Sequence, residues 1–285
     1  MTIDGKTRVC GLMGDPVEHT LSPIIHNTIA EHMGHNLVYV PFHVKKGQVG
    51  DAVKGAYELN VLGMNATVPH KSDVIPFLKE IDPLAENIGA VNTLVRIDGG
   101  YKGYNTDMTG LGRAMEKEGV NIAGKDVILL GAGGAARAVA FLMADRKADT
   151  IFILNRTYEK AKEVADEVAL KTGARIIPMP MSDYEKLPLK KFVCVQSTSV
   201  GLHPNDEDVI LDDPAFYQQL EVGIDLIYKP AETKFLQLCR KNGANGFNGL
   251  KMLLYQGVVA YELWNDVSVG DELCKAVERK LIEAQ

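Results

Sequence analysis

The chain has 285 residues, of which 46% are hydrophobic and 24% are charged, and these proportions are ordinary for a globular protein. At about 150 residues per domain, this length predicts two domains, each large enough to bury a core. The net charge of −6 argues against nucleic acid or a membrane surface as the main partner. Any anionic ligand must therefore be bound by local groups.

The spacing of cysteines and histidines argues against a metal site or a disulfide framework. The four cysteines lie far apart without a Cys-x-x-Cys pair, and the seven histidines show no metal-ligand spacing. Residues 1–12 contain no long apolar segment, and the apolar run 127–144 is interrupted by glycines and by Arg137. We therefore expect a metal-free, cytoplasmic protein without a membrane span.

The first strand is predicted over residues 8–13, and the segment GDPVEHTLSPIIHN then leads into a helix that runs to Met33. Ser22 followed by Pro23 is typical of an N-cap and a first-turn proline. Thr20 and Ser22 can cap this helix, or their hydroxyls can receive a small carboxylate at its N-terminus. The local sequence does not separate these two interpretations.

Two further strands, with an amphipathic helix between them, lead into the segment NATVPHK. Because Pro69 cannot continue a central strand, Asn65, Thr67 and Lys71 fall at the carboxyl end of a strand. Ligands gather at such ends in open α/β sheets. A single lysine after a turn is nevertheless usually a solvated charge.

A hairpin is predicted within residues 88–110, with its turn at Asp98–Gly100. It delivers Asn105, Thr106 and Asp107 to the start of another helix. For an isolated aspartate in that position, capping the helix is the ordinary role. The sequence also leaves open that Asp107 accompanies Lys71 in a site.

Residues 126–144 read DVILLGAGGAARAVAFLMA and predict a strand, a glycine turn and a helix that begins at Ala135. A glycine turn lets the backbone approach a ligand closely, and the first helical turn offers N–H groups to a pyrophosphate. Ala136 stands at the third glycine of the G-x-G-x-x-G pattern, where it is still small enough for close packing. The same motif can also be a purely structural turn.

The next strand, residues 150–154, ends in Asn155, Arg156 and Thr157, where a dinucleotide fold meets the adenosine ribose. NAD sites usually carry an acidic residue there, whereas a guanidinium suits the 2′-phosphate of NADP. Arg156 therefore favours NADP. The alternative is an ordinary solvated arginine, with Thr157 capping the following helix.

Alternating strands and helices continue to about residue 245, and two helices, 248–264 and 271–284, close the chain. This order predicts an α/β protein of two domains. Residues 1–107 should form an open α/β substrate domain that is completed by residues 247–285. Residues 108–246 should form a doubly wound, Rossmann-type parallel sheet that binds NADP.

In order and spacing, these motifs resemble those of the shikimate dehydrogenases. The matching segments are GDPVEHTLSP, NATVPHK, GAVNTL, GYNTD, GAGGAARA, NRT, IDLIYKPAET and NGLKMLLYQG. The resemblance implies an oxidoreductase that uses NADPH to reduce 3-dehydroshikimate reversibly to shikimate, on the pathway to chorismate and the aromatic amino acids. It also implies that the reaction takes place in a cleft between the two domains.

The resemblance implies roles for individual residues. Lys71 and Asp107 correspond to the catalytic pair of the family, with Lys71 as the acid/base and Asp107 as its partner. The residues expected to bind the substrate are Thr20, Ser22, Thr67, Asn92, Tyr228 and Gln256. The residues expected to bind NADP are Gly131, Ala132, Gly133, Gly134, Ala135, Asn155, Arg156, Thr157, Thr198, Leu226 and Gly249. No metal ligand is expected.

The chain departs from the usual family pattern at several positions. Thr20 stands where serine is usual, and Gln196 with Ser197 replaces the more frequent Asn and Ala. Two alternatives are a quinate/shikimate dehydrogenase that uses NAD and a catalytically silent NADP-binding regulator. The retention of Lys71 and Asp107 argues against the regulator. A monomer and a homodimer both fit the sequence.

Overall fold

The computed structural model describes residues 3–284 and divides them into two compact units. The first unit contains the described residues up to Arg113, together with those from Lys251 onwards. The second unit is Ala114–Leu250. Both units are α/β, which confirms the predicted fold class. That the first unit binds the substrate and the second binds NADP stays a prediction.

The first unit contains a six-stranded mixed sheet. Its strands are β1 (Arg8–Gly14), β2 (Leu37–His43), β3 (Gly63–Ala66), β4 (Glu80–Ile81), β5 (Thr93–Ile97) and β6 (Gly100–Tyr104). The helices that alternate with them are α1 (Ser22–His32), α2 (Val49–Glu58), α3 (His70–Asp73), α4 (Pro83–Ile88) and α5 (Thr106–Lys117). The strand order is β2-β1-β3-β5-β6-β4, and the predicted hairpin is the antiparallel pair β5–β6.

The second unit contains a six-stranded sheet in which every neighbouring pair is parallel. Its strands are β7 (Val127–Leu130), β8 (Thr150–Asn155), β9 (Arg175–Pro180), β10 (Phe192–Gln196), β11 (Leu220–Asp225) and β12 (Asn245–Phe247). Its helices are α6 (Gly134–Asp145), α7 (Tyr158–Thr172), α8 (Pro214–Gln218) and α9 (Lys234–Lys241). The order β9-β8-β7-β10-β11-β12 is doubly wound: β8 and β9 are added on one side of β7, and β10 to β12 are added on its other side, so the strand order reverses between β7 and β10.

Two helices, α10 (Leu250–Asn265) and α11 (Asp271–Glu283), follow the second sheet. Most of α10 and all of α11 belong to the first unit. Among residues 3–284, no helix has the length and apolar character that a membrane span requires.

The strands and helices near the end of the second unit differ from the sequence prediction. Strand β11 ends at Asp225 rather than at Ile227, because the Asp225 carboxylate accepts the Ile227 N–H and turns the chain out of the sheet. The prediction missed β12, which has only three residues and is defined by its pairing with β11. Helix α10 begins at Leu250 rather than at Asn248, whose side-chain oxygen instead accepts the Leu250 N–H.

Three helix starts also differ from the expected capping. Ser22 is the first residue of α1 and not its N-cap, and Thr20 Oγ1 accepts the Ser22 N–H at 3.3 Å. The side chain of Asn105 caps α5 by accepting the Met108 N–H, so Asp107 lies inside the first turn. Thr157 occupies the N-cap position of α7 without a side-chain hydrogen bond.

Helix α10 packs against the first sheet through Trp264. The indole Nε1 donates a hydrogen bond to the carbonyl oxygen of Leu94 in β5 at 2.9 Å, and the side chain is only 5% exposed. The ring occupies the space beside Gly63, where a Cβ atom would lie 2.0 Å from the indole nitrogen. A glycine at the start of β3 therefore allows α10 to approach the sheet.

We expect Gly63→Ala to lower the free energy of unfolding by about 1–3 kcal/mol, because the added methyl group overpacks the indole. Chemical denaturation with far-UV circular dichroism measures this loss. The matched control is Gly55→Ala in α2, where the added Cβ meets no atom within 4 Å. That variant should be neutral or more stable by about 0.5–1 kcal/mol. Equal stability of the two variants would contradict the proposed packing constraint.

Candidate active site

A lysine and a carboxylate meet where β3 and the β5–β6 hairpin lead into helices. Lys71 lies in the short helix α3, and its carbonyl oxygen accepts the Val91 N–H at 2.7 Å. Its Nζ donates a hydrogen bond to Asp107 Oδ2, also at 2.7 Å. The side chains of Lys71 and Asp107 are 36% and 20% exposed, so the pair is partly shielded and still accessible to a ligand. Asp107 therefore pairs with Lys71 rather than capping α5.

Asn92 lies beside this pair, and its side-chain oxygen is fully used. Oδ1 accepts hydrogen bonds from the Thr106 N–H at 2.7 Å and from the hydroxyls of Thr93 and Thr106, each at 3.1 Å. Because these three donors fix the orientation of the amide, the Nδ2 group is the part that can serve a ligand hydroxyl. The side chain is 3% exposed.

A buried tyrosine, which the sequence reasoning missed, connects this region to α1. Tyr39 donates its hydroxyl hydrogen to Asn65 Oδ1 at 2.8 Å, and its backbone makes two hydrogen bonds with the Asn27 side chain in α1. Asn65 Nδ2 donates in turn to the carbonyl oxygen of Asn92 and to the Thr93 hydroxyl. No short-range signal identifies Tyr39, because its polar partners come from other segments of the chain.

The residues predicted to bind a carboxylate lie at the start of α1. Ser22 is 8% exposed. Burial raises the pKa of Tyr39 well above its usual range, and the nearby Ser22 hydroxyl opposes this effect. Thr20 is half-buried. The hydroxyl of Ser22 thus lies near the Tyr39 phenol, which is hydrogen-bonded to Asn65.

Gln256 is held against α5 by a close helix contact. A Cβ atom on Gly110 would lie 2.5 Å from the backbone nitrogen of Gln256, so a glycine in α5 permits this contact. The Gln256 Nε2 group donates to the Leu253 carbonyl oxygen at 2.8 Å. Five of the six predicted substrate-binding residues (Thr20, Ser22, Thr67, Asn92 and Gln256) therefore belong to one unit that also contains Lys71 and Asp107.

A neutral histidine lies in the core under this network. His26 is 0% exposed, its ring stacks on Tyr39 at 4.1 Å between centroids, and Trp264 lies 4.9 Å away. Neither ring nitrogen has a hydrogen-bond partner among the described residues 3–284. Burial, opposed only in part by the nearby Asn65 amide, lowers the pKa of His26 to about 3.

In the second unit, the glycine turn lies at the point where the strand order reverses. Gly131 follows β7 with φ of +109°, a conformation that favours glycine, and a Cβ there would lie 2.8 Å from Thr198 Cγ2. Ser197 donates both its N–H and its hydroxyl to the Leu130 carbonyl oxygen. The turn after β7 and the loop after β10 are therefore packed against each other.

The start of α6 has the features of an anion site. Gly133 is the N-cap without a side-chain cap, and a Cβ on Gly133 or Gly134 would meet no atom within 4 Å. The first-turn N–H groups are thus open to a close ligand. Arg156 is exposed, and within residues 3–284 no carboxylate pairs with it. These observations fit a pyrophosphate at α6 and a further phosphate at Arg156.

Two of the residues expected to bind NADP, Leu226 and Gly249, are neighbours in the same unit. A Cβ atom on Gly249 would lie 2.2 Å from the carbonyl oxygen of Leu226, and the Gly249 N–H donates to the Ile227 carbonyl oxygen. Tyr228, which belongs to this unit as well, is half-buried, and burial raises its pKa. Within residues 3–284, no group of three or more His, Cys, Asp or Glu side chains could hold a metal ion.

Two protein-family models match the chain. Residues 12–94 match the shikimate dehydrogenase substrate binding domain, and residues 113–202 match shikimate / quinate 5-dehydrogenase. Over 98% of its length, the chain is 44% identical to the shikimate dehydrogenase (NADP(+)) of Desulforamulus reducens, of which it covers 97%. The chain belongs to the shikimate dehydrogenase family. The resemblance seen in the sequence motifs is thereby confirmed.

Solved shikimate dehydrogenases share the fold. One, in complex with NADP⁺, has a TM-score of 0.88 at 38% identity, with 99% of this chain and 98% of that chain covered. The shikimate 5-dehydrogenase from Listeria monocytogenes, in complex with shikimate and NAD, has a TM-score of 0.91 at 31% identity and the same coverage of both chains. The Rossmann-type fold predicted for the parallel-sheet unit is therefore confirmed.

The buried His26 should make stability depend on pH. Its pKa is lower in the folded than in the unfolded chain, so its contribution is complete above pH ~6.5 and falls as the pH decreases towards ~3. Between pH 8 and pH 4.5, this single residue should remove about 3 kcal/mol. We expect His26→Phe to be less sensitive to acid than the wild type by about this amount, as measured by denaturant unfolding at both pH values.

The matched control for that measurement is His19→Phe, because His19 is exposed in a loop. It should retain the full acid sensitivity of the wild type. An unchanged pH dependence in His26→Phe would contradict a neutral, buried His26.

Proposed function

We propose that this chain is an NADP-dependent shikimate dehydrogenase, which uses NADPH to reduce 3-dehydroshikimate reversibly to shikimate. The observation that carries the proposal is the pair of Lys71 and Asp107, whose Nζ and Oδ2 atoms lie 2.7 Å apart. An ammonium oriented by a carboxylate can stabilise the negative charge that develops on a carbonyl oxygen during reduction and can donate a proton to it. Relatives over nearly the whole chain are named shikimate dehydrogenase (NADP(+)).

Lys71 acts as the acid in the reducing direction. When bound, NADPH supplies the hydride that turns the carbonyl carbon into an alcohol carbon. The carbonyl oxygen gains negative charge as this happens, and the Lys71 ammonium stabilises the charge and donates a proton to that oxygen. In the opposite direction, the neutral Lys71 amine accepts the proton of the alcohol.

Asp107 orients the lysine and helps to hold the substrate. Its Oδ2 accepts the hydrogen bond from Lys71, which leaves Oδ1 to accept a ring hydroxyl. The Asn92 Nδ2 group, Thr67 and Gln256 are the further contacts for ring hydroxyls. The residues proposed for the substrate carboxylate are Thr20, Ser22 and Tyr228.

The second unit is the proposed NADP domain. Gly131–Ala135 would hold the pyrophosphate at the start of α6, where the helix N-terminus favours an anion. Arg156, flanked by Asn155 and Thr157, would pair with the 2′-phosphate. Leu226 and Gly249 are the residues proposed near the nicotinamide end, and Thr198 is a further proposed contact of NADP.

The first unit is the proposed substrate domain, and the protein is proposed to act in the cytoplasm as a monomer or homodimer in the pathway to chorismate and the aromatic amino acids. The net charge of −6 gives neither nucleic acid nor an anionic membrane surface an electrostatic attraction to the chain.

The test is the initial rate at which the purified protein reduces NADP⁺ and NAD⁺, each with shikimate and with quinate. The proposal expects rapid turnover with shikimate and NADP⁺. A preference for quinate or NAD⁺ would make the chain a quinate/shikimate dehydrogenase instead. No turnover with any combination would favour a silent NADP-binding regulator.

Lys71→Ala should lower kcat for shikimate oxidation by about 10²–10⁴-fold, because the acid/base group is lost. Steady-state kinetics at saturating NADP⁺ measures the effect. Lys45→Ala is the control, since Lys45 is an exposed loop lysine of the same unit, and it should retain wild-type kcat. A near-normal kcat with a raised KM would instead make Lys71 a binding group.

Arg156→Ala should raise KM for NADP⁺ by about 10–100-fold, since it removes a charged hydrogen-bond partner of the 2′-phosphate. KM for NAD⁺, which lacks that phosphate, should change less than about twofold. Arg175→Ala, at an exposed position of β9, is the control and should leave both constants unchanged. Equal increases for the two cofactors would exclude recognition of the 2′-phosphate by Arg156.

A further inference from the structure

A buried glutamine ends β10 and uses every polar group of its side chain. Gln196 is 1% exposed, and its Nε2 donates to Asp225 Oδ1 at 3.2 Å and to the Val200 carbonyl oxygen at 3.1 Å. Its Oε1 accepts the Thr198 N–H, and its backbone oxygen accepts the Leu226 N–H at 3.0 Å. One residue therefore contacts both the loop after β10 and the segment after β11.

Asp225 fixes which way this amide faces. It is 0% exposed, and it also accepts hydrogen bonds from the Thr233 hydroxyl at 2.6 Å and from the Ile227 N–H at 2.9 Å. Burial raises the pKa of Asp225 to about 6. Its Oδ1 atom is an acceptor here, because the Ile227 N–H that bonds to it can only donate. The amino group of Gln196 must face this carboxylate, and its oxygen is thereby directed to Thr198.

The loop that Gln196 holds forms one wall of the glycine turn. Within it, the Val200 N–H donates to the Thr198 hydroxyl at 3.1 Å, so the loop is also closed on itself. The methyl group of Thr198 would be 2.8 Å from a Cβ on Gly131. A displacement of Thr198 would therefore change the space beside the turn that the dinucleotide must enter.

The contacts of Gln196 depend on the length of the glutamine side chain. The family more often has asparagine at this position, as the sequence resemblance indicates, and asparagine is shorter by one methylene group. The glutamine amide here bridges Asp225, Thr198 and Val200. An asparagine amide on the same backbone would not reach all of them at these distances.

We propose that Gln196 is a positioning residue for the cofactor: anchored on Asp225, its amide sets the Thr198 loop against the Gly131 turn and so determines how tightly NADP(H) binds. This inference rests on the proposed function in one respect, the identity of the cofactor. Gln196 itself does not contact the reacting atoms in this scheme.

The test compares Gln196→Leu with the wild type. Leucine keeps the side-chain volume approximately but removes the hydrogen bonds to Thr198, Val200 and Asp225. We expect the Kd for NADPH, from fluorescence titration, to rise about tenfold, because one or two buried hydrogen bonds that order the loop are lost. Both kcat at saturating NADP⁺ and KM for shikimate should change less than about twofold. In the unliganded protein, the amides of residues 197–202 should exchange hydrogen faster.

Two further variants keep the inference falsifiable. Gln237→Leu makes the same chemical change at an exposed position of α9 and should bind NADPH as the wild type does. If Gln196→Leu does not fold, Gln196→Asn keeps an amide at the site, and we expect a smaller loss of affinity together with faster exchange in residues 197–202.

The outcomes are distinguishable. Wild-type Kd in a folded Gln196→Leu or Gln196→Asn protein whose thermal stability has fallen would make Gln196 merely structural and overturn the inference. A Kd that rises while kcat and Tm both fall, without faster exchange in the loop, would also overturn it. If the wild-type protein itself bound no NADPH, the proposed function and this inference would both fail.

Discussion

The first unit depends on helix α10, which follows the second unit in sequence but packs in the first. This packing requires glycine at two positions, because a side chain there would clash with α10. Trp264 covers Gly63, and Gln256 lies against Gly110 at a distance that excludes a side chain. Close packing of this kind tolerates no added methyl group without strain. Because α10 is held at these two points, Gln256 belongs to the unit that contains Lys71 and Asp107.

Within that unit, the predicted substrate residues are ordered by buried hydrogen bonds. Asn92, Asn65 and Tyr39 are joined by hydrogen bonds, and the Asn27 side chain connects the Tyr39 backbone to α1. Leaving one such group unsatisfied costs about 1–3 kcal/mol, so the network fixes side-chain orientation before any ligand arrives. The carbonyl-reducing chemistry proposed for Lys71 benefits from such order, because its partners need not reorganise.

The second unit brings loops from separate strands to one edge of its sheet. In a doubly wound parallel sheet, the loops after β7, β10 and β11 leave from the same edge. Gly131 allows the first of these loops to approach the second, and Gln196 with Asp225 ties the second to the third. A ligand bound at this edge would therefore contact three loops that hold one another in position.

The sequence by itself determined the order of most strands and helices, the glycine turn at residues 131–134 and the position of Arg156 after the second parallel strand, because periodicity, turn residues and motif spacing are local properties. It left open whether Asp107 caps a helix or accompanies Lys71, and it gave no sign of Tyr39. Only the tertiary structure decided these points. The partners of Asp107 and Tyr39 are 36 and 26 residues away, so their roles arise only when the sheet brings distant segments within hydrogen-bond distance.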